Sequence, residues 1–80
     1  MMEKENIFLV VKNVIAEVLP DVDPESVDIG QNLKALGANS IERTEIVVLL
    51  MEQLGIKLPL VSFGKVENIE GMVDVFLENA

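Results

Sequence analysis

The stretch of this chain whose residue types and spacing suggest chemistry is Leu36-Gly37-Ala38-Asn39-Ser40-Ile41-Glu42. Gly37 permits a backbone angle, or a close approach, that other residues resist. Asn39 is a strong helix N-cap, and Glu42 three positions later has the spacing of a capping box. With Asn39 as cap, Ser40 becomes the first helical residue and its hydroxyl is left free at the positive end of a helix. Phosphate is favoured there by the macrodipole and by open backbone N–H groups. A phosphodiester on Ser40 would therefore be electrostatically welcome. The plainer reading is that Ser40 is itself the cap and nothing more, and local chemistry leaves both readings open.

Other chemistry is excluded more firmly. The chain has no Cys and no His, which removes thiolate nucleophiles, imidazole bases, disulfides and almost all zinc sites. A serine hydrolase built on Ser40 has no base and no Gly-x-Ser-x-Gly turn. Asp21, Asp23, Glu25 and Asp28 crowd one loop, but their spacing is wrong for a calcium-binding helix–loop–helix. Pro24 interrupts the run, no Gly stands at the turn position, and Gln31 and Asn32 offer no terminal bidentate Glu.

The elements that must position Ser40 are helices. Eighty residues read as a single domain over 1–80. Half of the residues are apolar and the aromatics are all Phe, so the core must be built from Val, Leu, Ile and Met. Ile7, Val11, Val14, Ile15 and Val18 form one stripe, predicting a helix over 5–19 that Pro20 ends. A long connection over 20–38 follows, with Val27, Ile29, Leu33 and Leu36 pinning it to the bundle and one short turn over Leu33–Leu36. Ile46, Val47, Leu50, Met51 and Leu54 predict a second helix over 40–55, closed by Gly55 and apolar nearly all round. Ser62 is expected to cap a short third helix through about Val66. Asn68 is expected to cap a fourth, with its stripe at Ile69, Met72, Val73, Phe76 and Leu77. The expected fold class is all-α: a small four-helix bundle with three main helices, one short one and a long first loop.

Leu36-Gly37-Ala38-Asn39-Ser40-Ile41 resembles the acyl carrier protein motif, in which a Leu-Gly pair is followed by Asp-Ser-Leu. The resemblance extends through Glu45-Ile46, Leu50, Leu54, the Ile56-Lys57-Leu58-Pro59 exit and the last stripe, and so covers essentially the whole chain. It implies that Ser40 bears 4'-phosphopantetheine, attached from coenzyme A by a phosphopantetheinyl transferase with magnesium. The chain would then be no enzyme but a carrier of thioester-bound acyl groups. The departure is Asn39, where the family usually has Asp; the cap is kept and the charge is lost. Met51 and Thr44 also depart, standing where the family often has an acid and an apolar residue. The form Gly-Ala-Asn-Ser-Ile-Glu-Arg further resembles discrete carriers of polyketide β-branching cassettes. That implies malonyl or acetyl cargo in polyketide and antibiotic biosynthesis. The implied partners are an acyltransferase, a ketosynthase or decarboxylase, and a hydroxymethylglutaryl-synthase-like enzyme.

Ile41, Glu45, Val48 and Glu52 fall on one helical face beside Ser40 and are the expected docking surface, with Asn39, Glu42 and Arg43 near the arm. Fourteen acids against six bases, a formal charge of −8, argue against nucleic acid and for partners with basic patches. The N-terminal residues lack a signal sequence, and the apolar runs Ile7–Val11 and Ile46–Met51 are too short to span a bilayer. The expectation is a cytoplasmic monomer with no membrane partner. The competing readings are a helical adaptor using the apolar second helix, which would tolerate loss of Ser40, and a fatty-acid or aminoacyl/peptidyl carrier.

Overall fold

The computed structural model describes residues 3–80. Three α-helices run in chain order: α1 (Lys4–Val18), α2 (Ser40–Leu54) and α3 (Ile69–Glu78). Two single 3-10 turns, Pro24–Ser26 and Leu60–Phe63, lie in the connections.

The core is wholly apolar among the described residues. Ile7, Val11, Val14 and Ile15 of α1 meet Ile46, Val47 and Leu50 of α2, and Ile69, Met72, Val73 and Phe76 of α3. These are the stripes that the helical spacing predicts, and α1 packs on both other helices. Val18, Met51, Leu54 and Leu77 lie at the margins, half-buried. Lys4 ties α1 to α3 across the surface, its Nζ 2.9 Å from Glu70 Oε2 and 3.1 Å from Asp74 Oδ1. The hydrogen bond to Glu70, and then that to Asp74, raises the Lys4 pKa above its ordinary value.

The first loop is built into the fold. Val27 is buried, and Ile29, Leu33 and Leu36 pack on the core as expected. Asp23 is engaged in capping the first 3-10 turn, accepting from the Glu25 amide at 3.0 Å. The loop also supplies α3 with acceptors. The Ile69 amide donates to the Gln31 carbonyl and the Glu70 amide to the Ile29 carbonyl, both at 2.8 Å. Asn68 accepts from the Gly71 amide at 2.8 Å. The orphan donors that begin every helix are thus satisfied at α3 by backbone from far away in the chain.

One expectation holds only in coarser form: a short helical element follows Pro59, but it is a 3-10 turn. No α-helix runs from Ser62 to Val66, and the molecule has three α-helices among its described residues rather than four. The segment makes a 3-10 turn over Leu60–Phe63 that begins directly after Pro59, with no side-chain cap. Ser62 sits inside that turn, its amide donating to the Pro59 carbonyl at 2.9 Å. Gly64 follows at once, too soon for an α-helix to propagate from a costly nucleus. The turn is held from outside instead, by the Phe63 ring against Phe76 with centroids 5.2 Å apart.

Candidate functional site

The approach to α2 is shaped residue by residue. Leu33–Gly37 make a tight turn, with the Leu36 amide bonding to the Leu33 carbonyl and the Gly37 amide to that of Lys34. Gly37 stands at φ +98°, a conformation that side chains resist. It turns the chain so that the Ala38 amide reaches back to the Leu33 carbonyl at 3.1 Å. Ala38 is then buried, and the next two residues emerge at the surface.

The capping box is complete. Asn39 Oδ1 accepts from the Glu42 amide at 2.8 Å, and Glu42 Oε1 accepts from the Asn39 amide at 2.9 Å. Ser40 is therefore not the cap. It is the first residue of α2, it is exposed, and its hydroxyl has no hydrogen-bond partner among the described residues. The amides of Ser40 and Ile41 likewise have no partner among the described residues, in contrast to the fully satisfied start of α3. A free hydroxyl beside two open N–H groups, at the positive end of a fifteen-residue helix, is an arrangement that accepts a phosphate ester.

The remaining candidates divide into two groups. Ser40, Ile41, Glu45, Val48 and Glu52 line one open groove along the outside of α2, together with Thr44 and Leu49. Ile41 is 77% exposed and Val48 41%, and these two apolar side chains alternate with Glu45 and Glu52 along the groove. Glu42 and Arg43 are held elsewhere. Glu42 closes the cap, and Arg43 turns inward, its Nη1 donating to the Ala38 carbonyl at 3.1 Å. Arg43 lies in a second hollow, between α2 and the Leu60–Phe63 turn, bordered by Ser40, Val47, Leu60, Phe63 and Met72.

Leu49 in the groove and Leu60 beside the hollow are site residues that the sequence reading does not single out, and Thr44, noted there only as a departure from the motif, joins the groove. Thr44 and Leu49 follow from helical spacing, at i+4 from Ser40 and Glu45. Leu60 has no such signal, because its 51% exposure depends on where the turn sits. Two departures from the motif have local explanations. Thr44 Oγ1 donates to the Ser40 carbonyl at 3.0 Å, and the Met51 sulfur accepts from the Leu58 amide at 3.2 Å, fastening the exit segment.

A family model described as the phosphopantetheine attachment site matches residues 10–76 of this chain, most of its length. The chain belongs to the phosphopantetheine-attachment family. This carrier is 35% identical, over 77 residues, to the polyketide biosynthesis acyl-carrier-protein AcpK of Bacillus subtilis (strain 168), covering 96% of this chain and 94% of the relative. It also superposes on one chain of the curacin biosynthetic pathway HMG synthase in complex with acetyl donor-ACP. The TM-score there is 0.86 and the identity 29%, covering 94% of this carrier and 96% of the other chain. Coverage that complete means the matched chain is of this carrier's own size. As a family member, the protein bears 4'-phosphopantetheine as its prosthetic group and is a carrier rather than an enzyme.

Proposed function

We propose that Ser40 is the attachment residue, and that the chain is the donor carrier of a polyketide β-branching step. The observation that carries the first part is the division of labour at the start of α2. Asn39 holds the cap and leaves the Ser40 hydroxyl unbonded and exposed. The Ser40 and Ile41 amides and the helix dipole lie where the ester's negative charge would develop. When bound, the arm supplies a thiol that holds acyl groups as thioesters at high effective concentration near a docked enzyme.

The second part draws on the two relatives. One is described as a polyketide carrier, and the other was solved with an HMG synthase as an acetyl donor. By this reading the cargo is malonyl or acetyl. The partners are a phosphopantetheinyl transferase, an acyltransferase, a decarboxylating ketosynthase-like enzyme and a hydroxymethylglutaryl-synthase-like enzyme. The groove of Ile41, Glu45, Val48 and Glu52 is the docking face: apolar contacts and carboxylates alternate along it, and Ser40 stands at one end.

Intact mass tests the reading directly. The protein is incubated with coenzyme A, magnesium and a broad-specificity phosphopantetheinyl transferase, and Ser40→Ala is treated in parallel. The expected result is a gain of one phosphopantetheine on the wild type and none on the variant. A folded wild type that gains nothing, while a known carrier is loaded in the same mixture, would refute it.

A further inference from the structure

Arg43 has a role that neither the cap nor the docking groove accounts for. It is the single arginine of the chain and the only cation on α2. In a molecule of net charge −8 it has no carboxylate within ion-pair distance among the described residues, where Lys4 has two. Arg43 is half-buried, and one N–H of its guanidinium is donated to the Ala38 carbonyl. A guanidinium carries several donors in a fixed fork, so the others remain to be satisfied. Arg43 lines two hollows beside α2, and Ser40 borders one of them. Residues three apart on a helix are neighbours, and helical side chains lean toward the N-terminus, so Arg43 is directed toward the Ser40 end of α2.

We propose that Arg43 pairs with the phosphodiester on Ser40, and that it does so while clamping the Ala38 carbonyl that fixes the approach to the helix. The proposal rests on Ser40 being the attachment residue. Attachment adds negative charge to a surface that is already strongly acidic, and Arg43, a cation one helical turn from Ser40, offsets it. The first segment of the arm then leaves Ser40 in a defined direction, over the hollow, rather than swinging freely. Arg43 is a positioning residue in this account: it touches the ester and not the reacting acyl group.

The test separates the clamp from the pairing. Unloaded and loaded forms of the wild type, Arg43→Gln and Arg43→Lys are prepared, and each loaded form is verified by intact mass. Loss of the Ala38 clamp destabilises both forms of a variant alike and cancels in the loaded-minus-unloaded difference in Tm. Loss of the pairing does not cancel. The Gln variant is expected to lose about 4 °C on loading relative to the wild type, and the Lys variant to recover part of that. Because Arg43 is the only arginine, its Nε–H gives one unambiguous 15N resonance, which is expected to shift on loading of the wild type. An unmoved Nε–H, with equal loading differences in wild type and Gln variant, overturns the role of Arg43 and leaves Ser40 standing. Failure of the wild type to gain any phosphopantetheine overturns both.

Discussion

Asn39 shows how much one side chain does at this site. The box it forms with Glu42 was legible in the sequence because every partner lies within three residues, and the structure has both bonds. What was not legible is which of Asn39 and Ser40 takes the cap, since either residue type serves; the geometry gives it to Asn39. The sequence places Arg43 near Ser40, but its turn toward Ala38 depends on where that carbonyl points, beside Gly37 at φ +98°. The cap and the missing acid can be separated by substitution. Asn39→Ala leaves the Glu42 amide unpaired and should cost about 1 kcal/mol, a fall in Tm of about 4–8 °C. Asn39→Asp keeps the acceptor and places a charge at the favourable end of the helix, so its Tm should equal or slightly exceed that of the wild type. It also supplies the acid of the family motif, so transferase loading should be faster. The measurements are thermal melts and initial rates of mass gain; an Asp variant that loads no faster than Asn would show that the charge is irrelevant to the transferase.

At the scale of elements, periodicity located α1, α2 and α3 to within a residue or two, because each buries a stripe that spacing alone reveals. It failed between Ser62 and Val66, where the choice is made by Pro59, Gly64 and the distant ring of Phe76. It also could not show that Ile29 and Gln31 cap α3, since backbone carbonyls carry no sequence signal. The Lys4 tie between α1 and α3 is of the same long-range kind and gives a prediction with a definite sign. Its partners Glu70 and Asp74 raise the Lys4 pKa in the folded protein above its unfolded value. The folded state therefore holds the proton more tightly. The stabilisation is complete below the ordinary lysine pKa of about 10.4 and is lost as pH rises through that value and the higher folded one. Denaturant midpoints measured from about pH 9 to 11 should fall more steeply for the wild type than for Lys4→Gln, with the two curves converging at the alkaline end. Because the three side chains are 39–47% exposed, the difference should shrink in high salt. Parallel curves over that range would mean that the bridge contributes nothing measurable.

Over the whole molecule, fourteen acids against six bases create a field felt well beyond any single contact. The groove on α2 sits within that field, and its two kinds of residue should act on different steps of docking. Glu45 and Glu52 attract a basic surface before contact, whereas Ile41 and Val48 act only once water has been expelled. With a hydroxymethylglutaryl-synthase-like partner, the association rate of the loaded carrier should fall about tenfold or more between low and high salt. Replacing both Glu45 and Glu52 by Gln should lower that rate at low salt and flatten its salt dependence, with little change in dissociation. Ile41→Ala should do the reverse, speeding dissociation by about fivefold or more at every salt concentration while leaving the association rate near that of the wild type. Ile41 is 77% exposed, so its loss should change folding stability by less than about 0.5 kcal/mol, and weaker docking could not be blamed on unfolding. Stopped-flow association at several ionic strengths reads both steps. If the Gln pair kept the wild-type salt slope, steering would have to come from acids elsewhere on the surface, and the α2 groove would be an apolar contact alone.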